Sequence, residues 1–285
     1  MTSNLPSIML SHPSGAQAEV HLQGAQVTSW IPANGHEMLY LSEAAIFEPA
    51  KPIRGGIPVV FPQFADTGPL PKHGWLRCAS WEATGSIQEG DTTLVTLVTE
   101  DDEMSRNIWP HAYRAEMRIT LGEESLSTEL TILNRGTDAF TFTAALHTYL
   151  AVVDVTYAEL VGLNGTQYID KVAAGVMRTD RANVLRVTAE TDRVYLGAPT
   201  LLRLIDCTRD TPIEIAASGF PDLVVWNPWK DRAAALPDMG DEDYLRMLCV
   251  EAALVANPHS LQPQQSWKGS QRLTVIQPER PIPLD

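Results

Sequence analysis

Apolar and polar residues alternate with a period of two over much of the chain. From Tyr113 to Leu121 the odd positions are Tyr, Ala, Met, Ile and Leu, and polar side chains occupy the positions between them. A second alternating run, Leu126 to Ile132, follows a short turn at Gly122-Glu123-Glu124. Two such runs joined by a short glycine-containing turn predict a β-hairpin.

Further short segments have the same pattern, whereas helical periodicity is scarce. One helical turn is predicted at 231–236. Many short strands spaced by roughly ten residues indicate an antiparallel sandwich or barrel. No linker or repeat divides the chain, so we expect one all-β domain over residues 1–285. The other predicted strands are 92–99, 140–147, 223–226, 247–254 and 271–276.

The composition is that of a globular protein with an acidic surface. Of the 285 residues, 44% are hydrophobic and 20% charged, which argues against disorder. Lys and Arg total 21 against 35 Asp and Glu, a formal net charge of −14. Such a surface repels phosphate backbones and anionic lipid, so we expect no nucleic-acid or membrane partner. An anionic ligand would need a local basic pocket.

The expected lack of a targeting signal and the spacing of the cysteines favour a cytoplasmic protein. The N-terminal segment lacks a basic region followed by an apolar one, so we expect no secretory signal. No stretch approaches the ~18 apolar residues of a membrane span. Cys78, Cys207 and Cys249 are widely spaced and form no CxxC pair. They predict reduced thiols rather than a disulfide framework.

Sequence motifs for familiar cofactors and metals are absent. The chain has no GxGxxG after a strand, GxxxxGK[ST], HExxH or GxSxG. The seven histidines do not cluster at ligand spacings, so no metal site is predicted. The acidic segment 238–243 does not match an EF-hand loop, and we expect it to be solvated.

Two titratable residues occupy otherwise apolar strands. Glu251 lies in MLCVEAAL, where burial without partners would cost several kcal/mol. It is either a strand-end charge facing water or a carboxylate in a cleft, serving as general base or sugar ligand. His147 falls on the strand face opposite Phe142 and Leu146. It is either a hydrogen-bonded structural residue or the partner of Glu251 in an acid–base pair.

A concentration of basic residues marks the segment 54–77. Arg54, Lys72, His73 and Arg77 lie within these 24 residues, among many prolines and glycines. Guanidinium groups bind phosphate or carboxylate with two parallel hydrogen bonds. The segment therefore indicates an anion-binding loop, and the alternative is that these cations pair with neighbouring acidic side chains.

Six motifs resemble those of a known family. In order they are RGGIPVVFPQF, LPKHGWLR, LHTYL, TDRVY, WNPW and DMGDEDYLRMLCVE. They resemble the D-hexose-6-phosphate mutarotases (glucose-6-phosphate 1-epimerases) of the aldose 1-epimerase, or galactose mutarotase-like, superfamily, over residues 20–276. The resemblance implies a large antiparallel β supersandwich with few short helices. It also implies an isomerase that interconverts the α and β anomers of a hexose 6-phosphate, with glucose 6-phosphate as the expected substrate.

The resemblance also implies a catalytic pair. Glu251 in the MLCVE strand corresponds to the catalytic base, and His147 in LHTYL corresponds to the general acid. They would open the sugar ring, allow rotation about C1–C2 and close the ring on the other face. No cofactor is expected for this chemistry.

Five more residues are implied to bind substrate. Asp192 in TDRVY corresponds to a carboxylate that holds sugar hydroxyls, and Arg54 and Arg77 correspond to a phosphate-binding pair. His73 corresponds to a residue near the ring oxygen or hydroxyls. Lys72 departs from the Gln of some family members, and it either strengthens phosphate binding or points to solvent.

Other functions remain open from the sequence. The chain could be an aldose 1-epimerase of unphosphorylated sugar, or a non-catalytic carbohydrate-binding module. It could also be a glycoside hydrolase in which Asp192 and Glu251 flank a glycosidic bond. Paired arginines in so acidic a chain favour a sugar phosphate as the ligand. We expect a monomer or a weak homodimer.

Overall fold

The computed structural model of the protein describes residues 5–33, 35–209 and 212–276. These residues form twenty β-strands and two six-residue helices, α1 (Glu103–Ile108) and α2 (Trp229–Ala234). Short 3₁₀ turns lie at Leu76–Cys78, Val155–Tyr157 and Asp243–Arg246. Every pairing between these strands is antiparallel. The predicted all-β class is confirmed.

Three sheets contain the strands. A three-stranded sheet has the order β1 (Ser7–Ser11), β2 (Gln17–His21), β3 (Gln26–Ile31). An eight-stranded sheet has the order β13 (Val176–Thr179), β12 (Gln167–Asp170), β15 (Thr191–Tyr195), β18 (Asp222–Asn227), β19 (Met247–Leu261), β9 (Phe140–Leu146), β4 (Val59–Val60), and β10 (Tyr149–Ala151) also pairs with β19. A nine-stranded sheet has the order β14 (Val184–Leu185), β11 (Ala158–Val161), β16 (Leu201–Asp206), β17 (Ile213–Ser218), β20 (Ser266–Val275), β8 (Ser125–Asn134), β7 (Tyr113–Leu121), β6 (Thr92–Glu100), β5 (Glu82–Glu89).

The predicted hairpin is present at β7 and β8, with Leu121 opposite Leu126 across the turn. The helical turn predicted at 231–236 occurs at α2, two residues earlier in the chain, and α1 was not predicted. The single domain predicted over 1–285 extends at both ends beyond the described residues, and it stays a prediction.

Strand β19 separates the main core from a second face of its sheet. Its even positions, Leu248 to Leu254, belong to the large core cluster that also contains buried side chains of the nine-stranded sheet. Because side chains alternate along a strand, the odd positions Cys249, Glu251 and Ala253 point to the opposite face. Two smaller apolar clusters line that face, and between them lies the cavity described below.

The basic segment 54–77 folds over the end of this face. Phe61 forms an isolated parallel bridge with Gly74, and the His73 N–H donates to the Ala65 carbonyl at 3.0 Å. Gly74 has φ +64, and a Cβ there would lie 1.8 Å from the Phe61 carbonyl oxygen. Only glycine fits this close backbone approach. The loop is therefore held in one shape that directs its basic side chains toward the sheet.

Candidate active site

One open cavity of about 390 Å³ collects the predicted site residues. It lies over the odd-numbered face of β19 and under the basic segment. Lys171, Trp226 and Arg232 also line it. All seven predicted side chains contribute to its wall: Arg54, Lys72, His73, Arg77, His147, Asp192 and Glu251.

Strand register places Glu251 directly opposite His147. Leu146 pairs with Ala252, and Tyr149 pairs with Cys249, so the antiparallel register between them sets residue 147 against residue 251. His147 follows the last residue of β9, and its N–H donates to the Pro58 carbonyl at 2.9 Å. Opposite residues of antiparallel strands have Cβ atoms about 4.5–5.5 Å apart. The two side chains meet with Nε2 of His147 3.3 Å from Oε1 of Glu251.

Glu251 is buried at the floor of the cavity, with 1% of its surface exposed. The interpretation as a strand-end charge facing water is therefore wrong, since Glu251 lies inside a 15-residue strand. Its Oε2 has no hydrogen-bond partner in the described structure. Burial, and then the charge of Asp192, raise the pKa of Glu251 well above its usual value. The apolar surroundings thus favour the protonated carboxyl.

The His147 imidazole is held between aromatic rings. It stacks on Tyr149 with centroids 4.8 Å apart and planes inclined by 13°, and the His73 ring meets it edge-on at 5.5 Å. Its Nδ1 is buried and has no partner within the described ranges. Burial first, and then His73, Arg54 and Arg77, lower the pKa of His147 well below its usual value.

Arg54 is fixed by two partners from distant parts of the chain. Its Nη1 donates to Tyr149 Oη at 2.9 Å, and its Nη2 donates to Asp238 Oδ1 at 3.1 Å. Burial opposes its charge, but Tyr149 and Asp238 outweigh that effect and raise the pKa of Arg54. The buried Nε–H has no partner among the described residues. Arg54 therefore keeps a free donor.

The acidic segment 238–243, which the sequence predicted to be solvated, is exposed at Asp241 and Glu242 but not at its two ends. Asp238 and Asp243 are buried, and Asp238 forms the ion pair with Arg54. Asp243 accepts hydrogen bonds from Tyr40 Oη at 2.7 Å and from the Gly240 N–H at 2.9 Å. The sequence did not reveal the burial of Asp238 and Asp243, because their partners lie 184 and 203 positions away in the chain.

Arg77 and Lys72 approach the cavity from the same loop. Arg77 Nη2 donates to the Lys72 carbonyl at 2.9 Å, while its buried Nε–H has no partner in the described part of the chain. Burial, together with the nearby charge of Arg54, lowers the pKa of Arg77. The Lys72 side chain is exposed at the cavity rim. Two half-buried guanidinium groups, each with a buried Nε–H that has no partner among the described residues, place positive charge on this wall of the cavity.

His73 is a neutral donor rather than a cation. Burial, and then the charges of Arg77, Lys72, Lys171 and Arg54, lower the pKa of His73 to about 3. Its Nδ1 accepts from the Ala65 N–H at 3.4 Å. A neutral imidazole that accepts at Nδ1 carries its proton on Nε2. His73 can therefore donate one hydrogen bond to a sugar oxygen.

Asp192 also lines the cavity, beside two cations that the sequence analysis missed. Lys171 Nζ is 3.7 Å from Asp192 Oδ2, and the Lys171 N–H donates to the Asp192 carbonyl at 2.9 Å. Burial raises the pKa of Asp192, and Lys171 and Arg232 oppose this shift. Asp192 points from β15 into the cavity as an acceptor for hydroxyl groups.

A cluster of possible metal donors occurs at the floor of the cavity. Donor atoms of His147, Cys249 and Glu251 lie within 4.8 Å of one another. Burial, and then the charge of Glu251, raise the pKa of Cys249 well above its usual value, so the thiol stays protonated. Arg54 and Arg77 line the same cavity and repel cations. The electrostatics of the cavity favour an anion over a metal ion.

Comparison with known proteins agrees with this geometry. The sequence profile of the family described as aldose 1-epimerase matches residues 6–274. The chain belongs to the aldose 1-epimerase family. It is an isomerase, as the sequence resemblance implied. The predicted family is confirmed.

Three relatives cover almost the whole chain. A protein of Cenchrus ciliaris, provisionally named glucose-6-phosphate 1-epimerase, is 37% identical over 96% of this chain and 86% of its own length. A protein of Escherichia coli with the same provisional name is 29% identical over 95% of this chain and 90% of its own. The crystal structure of a provisionally named mutarotase from Salmonella typhimurium superposes with a TM-score of 0.90, 27% identity, and 98% and 92% coverage.

The two helices of the described residues are six residues long each. Neither α1 nor α2 is long and apolar enough to cross a membrane.

Proposed function

We propose that the protein interconverts the α and β anomers of a hexose 6-phosphate, with glucose 6-phosphate as the substrate. The contact of His147 with Glu251 at 3.3 Å, in a cavity that also holds Arg54 and Arg77, carries this proposal. An acid–base pair is unnecessary in a carbohydrate-binding module, and paired arginines are unnecessary for a neutral sugar. The provisional names of two relatives support the same substrate.

The two catalytic residues divide the proton transfers between them. Glu251, as carboxylate, takes the proton of the C1 hydroxyl while His147, as imidazolium, donates a proton to the ring oxygen. The C1–ring-oxygen bond breaks and C1 becomes a free aldehyde. After rotation about C1–C2, the ring oxygen adds to the other face and both protons return. General acid–base catalysis of this kind contributes about 10²–10⁴-fold.

Before substrate binds, the neutral forms of both Glu251 and His147 are favoured, because burial raises the pKa of Glu251 and lowers that of His147. The reactive form differs by one proton moved between Oε1 and Nε2, which lie 3.3 Å apart. A sugar hydroxyl that donates to the unpartnered Oε2 of Glu251 stabilises the carboxylate. Substrate binding therefore favours the carboxylate form of Glu251, which acts as the base.

The remaining residues orient the sugar. Arg54 and Arg77 bind the phosphate through their guanidinium groups, which holds the unreactive end of the substrate. Asp192 accepts from sugar hydroxyls, and His73 donates from Nε2. Lys72, exposed at the rim, contributes only a weak attraction to the phosphate.

We also propose a cytoplasmic location and a monomer or weak homodimer. The three cysteines Cys78, Cys207 and Cys249 are free thiols, in keeping with a reducing compartment.

Anomer exchange measured by NMR magnetisation transfer tests the proposed function. Glucose 6-phosphate and free glucose are compared at equal concentration, with and without protein. We expect acceleration for the phosphate and little for glucose. Equal acceleration of both sugars would contradict the phosphate assignment, and no acceleration of either would contradict the catalytic assignment.

A further inference from the structure

The phosphate-binding side of the cavity is joined to the catalytic histidine by one residue, Tyr149. Its Oη accepts the hydrogen bond from Arg54 Nη1 at 2.9 Å, and its ring stacks on the His147 imidazole at 4.8 Å. Tyr149 is 2% exposed and also lies edge-on to Trp226 at 6.1 Å. Its ring therefore has little freedom to move independently of its two partners.

We infer that a dianion bound at Arg54 and Arg77 activates the His147–Glu251 pair, so that the substrate's phosphate promotes ring opening in addition to anchoring the sugar. This inference rests on the proposed function and gives its phosphate site a second role. Tyr149 is a positioning residue in this arrangement, since it touches Arg54 and His147 and does not line the cavity.

The charges around His147 supply the first reason. Four elements face it: the basic segment with Arg54, Arg77 and neutral His73, the strand β19 with Glu251 and the Cys249 thiol, the strand β10 with Tyr149, and the strand β18 with the uncharged Trp226. With an empty phosphate site, the two guanidinium charges disfavour the imidazolium that the reaction needs. A phosphate dianion cancels those charges. Each unit by which the His147 pKa returns toward its usual value raises its protonated fraction up to tenfold.

The unused donors supply the second reason. Nε of Arg54 and Nε of Arg77 are both buried without a partner within the described residues. A buried donor without a hydrogen-bond partner destabilises the fold. An anion that takes both hydrogen bonds removes this cost and fixes Arg54, and through Oη it fixes the plane of Tyr149 against His147.

The chemistry of the substrate supplies the third reason. The ring oxygen is bonded to C5, which carries the phosphorylated C6 arm, so the phosphate and the atom protonated by His147 are at the same end of the sugar. The cavity has the matching order, with Arg54, Tyr149 and His147 in sequence. A phosphate at the arginines places the ring oxygen toward the imidazole.

The inference is tested by supplying the sugar and the anion as separate molecules, free glucose and inorganic phosphite. The exchange rate of free glucose is measured with protein at increasing inorganic phosphite, and the rate with phosphite alone is subtracted. We expect saturable acceleration of at least about tenfold, corresponding to one unit in the pKa of His147. Arg77→Met removes this acceleration. Lys51→Met keeps it, because Lys51 is an exposed cation paired with Glu48 outside the cavity.

Tyr149→Phe separates positioning from a merely structural role. The variant keeps the aromatic stack and loses the Oη acceptor of Arg54. We expect phosphite to bind it with similar affinity and to accelerate glucose exchange less. The ring resonances of His147, followed by NMR in a pH titration, should move to a higher pKa with phosphite in the parent protein and less in the variant.

The outcomes distinguish this inference from the proposed function. Rapid exchange of glucose 6-phosphate with no effect of saturating phosphite on glucose would leave the function intact and overturn the inference. An unchanged His147 titration with phosphite bound would also overturn it. No exchange of glucose 6-phosphate would overturn both.

Discussion

Arg54, on the wall of the cavity, forms an ion pair with Asp238, with Nη2 3.1 Å from Oδ1. Their side chains are 20% and 11% exposed, so water screens the pair only in part. Asp238 therefore directs one edge of the guanidinium, while the buried Nε has no partner within the described residues.

Asp238→Asn should lower the stability of the free protein and increase the stabilisation that a bound anion gives. Loss of the carboxylate leaves a largely buried guanidinium without its ion-pair partner, so we expect a loss of about 1–3 kcal/mol in the free energy of unfolding. Phosphite should raise the Tm of this variant more than that of the parent, because the anion replaces the lost charge. Glu48→Gln, which removes an exposed ion pair with Lys51, is the control and should change stability by less than about 1 kcal/mol. Equal Tm shifts with phosphite in parent and variant would contradict the expectation.

Glu251→Gln should abolish turnover without weakening the fold. We expect the exchange rate of glucose 6-phosphate to fall by about 10²–10⁴-fold, while phosphite affinity is retained. The raised pKa of Glu251 means that the folded protein loses stability as the pH rises through that pKa. The variant should therefore gain stability relative to the parent toward alkaline pH. Glu129→Gln, at a half-buried carboxylate outside the cavity that pairs with the exposed Lys268, serves as the control. A variant that keeps full turnover would remove Glu251 from the mechanism.

Arg77→Met should raise KM for glucose 6-phosphate by about 10–100-fold, since a hydrogen bond to a charged group contributes about 1.5–3 kcal/mol. KM for free glucose should not change. Lys72→Met, at the exposed rim, should raise KM by no more than a few-fold. Competition assays with both sugars measure these effects. Equal losses at both positions would assign Lys72 a direct phosphate contact.

Acid should destabilise the protein through His73. Its pKa falls from the usual 6.5 to about 3 on folding, so between these values the unfolded chain binds a proton that the folded chain does not. Stability therefore decreases as the pH falls through this window, by at most about 1.4 kcal/mol per pH unit for this residue. His147 acts in the same direction. Urea unfolding at several pH values should show a shallower slope for His73→Asn. An unchanged slope would mean that His73 is protonated in the fold.

The sequence predicted the strands that are regular and amphipathic. The bounds of the strand Tyr113–Leu121 were predicted to the residue, because an alternating run that ends at a glycine turn is compatible with few structures other than a strand. Helix α1 was missed because Ser105 is its buried residue, so the helix has no apolar stripe to show in the sequence. Its start is set by Asp102, whose side chain accepts from the Ser105 N–H.

Recognition of the site residues depended on motifs, whereas their partners depended on the fold. Glu251 was notable as a carboxylate in an apolar strand, and the register then placed it against His147. Lys171 follows the short strand β12, which the sequence pattern did not reveal. Tyr149 resembles any buried aromatic in sequence, and its link to Arg54 and His147 is visible only as contacts in three dimensions.

The two hydrogen bonds of Arg54 reach Tyr149 and Asp238, which lie 95 and 184 positions further along the chain. Such contacts give a high contact order, and no local segment can form the proposed phosphate site early in folding. In a refolding experiment the hairpin β7–β8 can form from neighbours in sequence, while catalytic competence must await docking of both distant segments. Recovery of activity should therefore lag behind recovery of the β-sheet signal in circular dichroism.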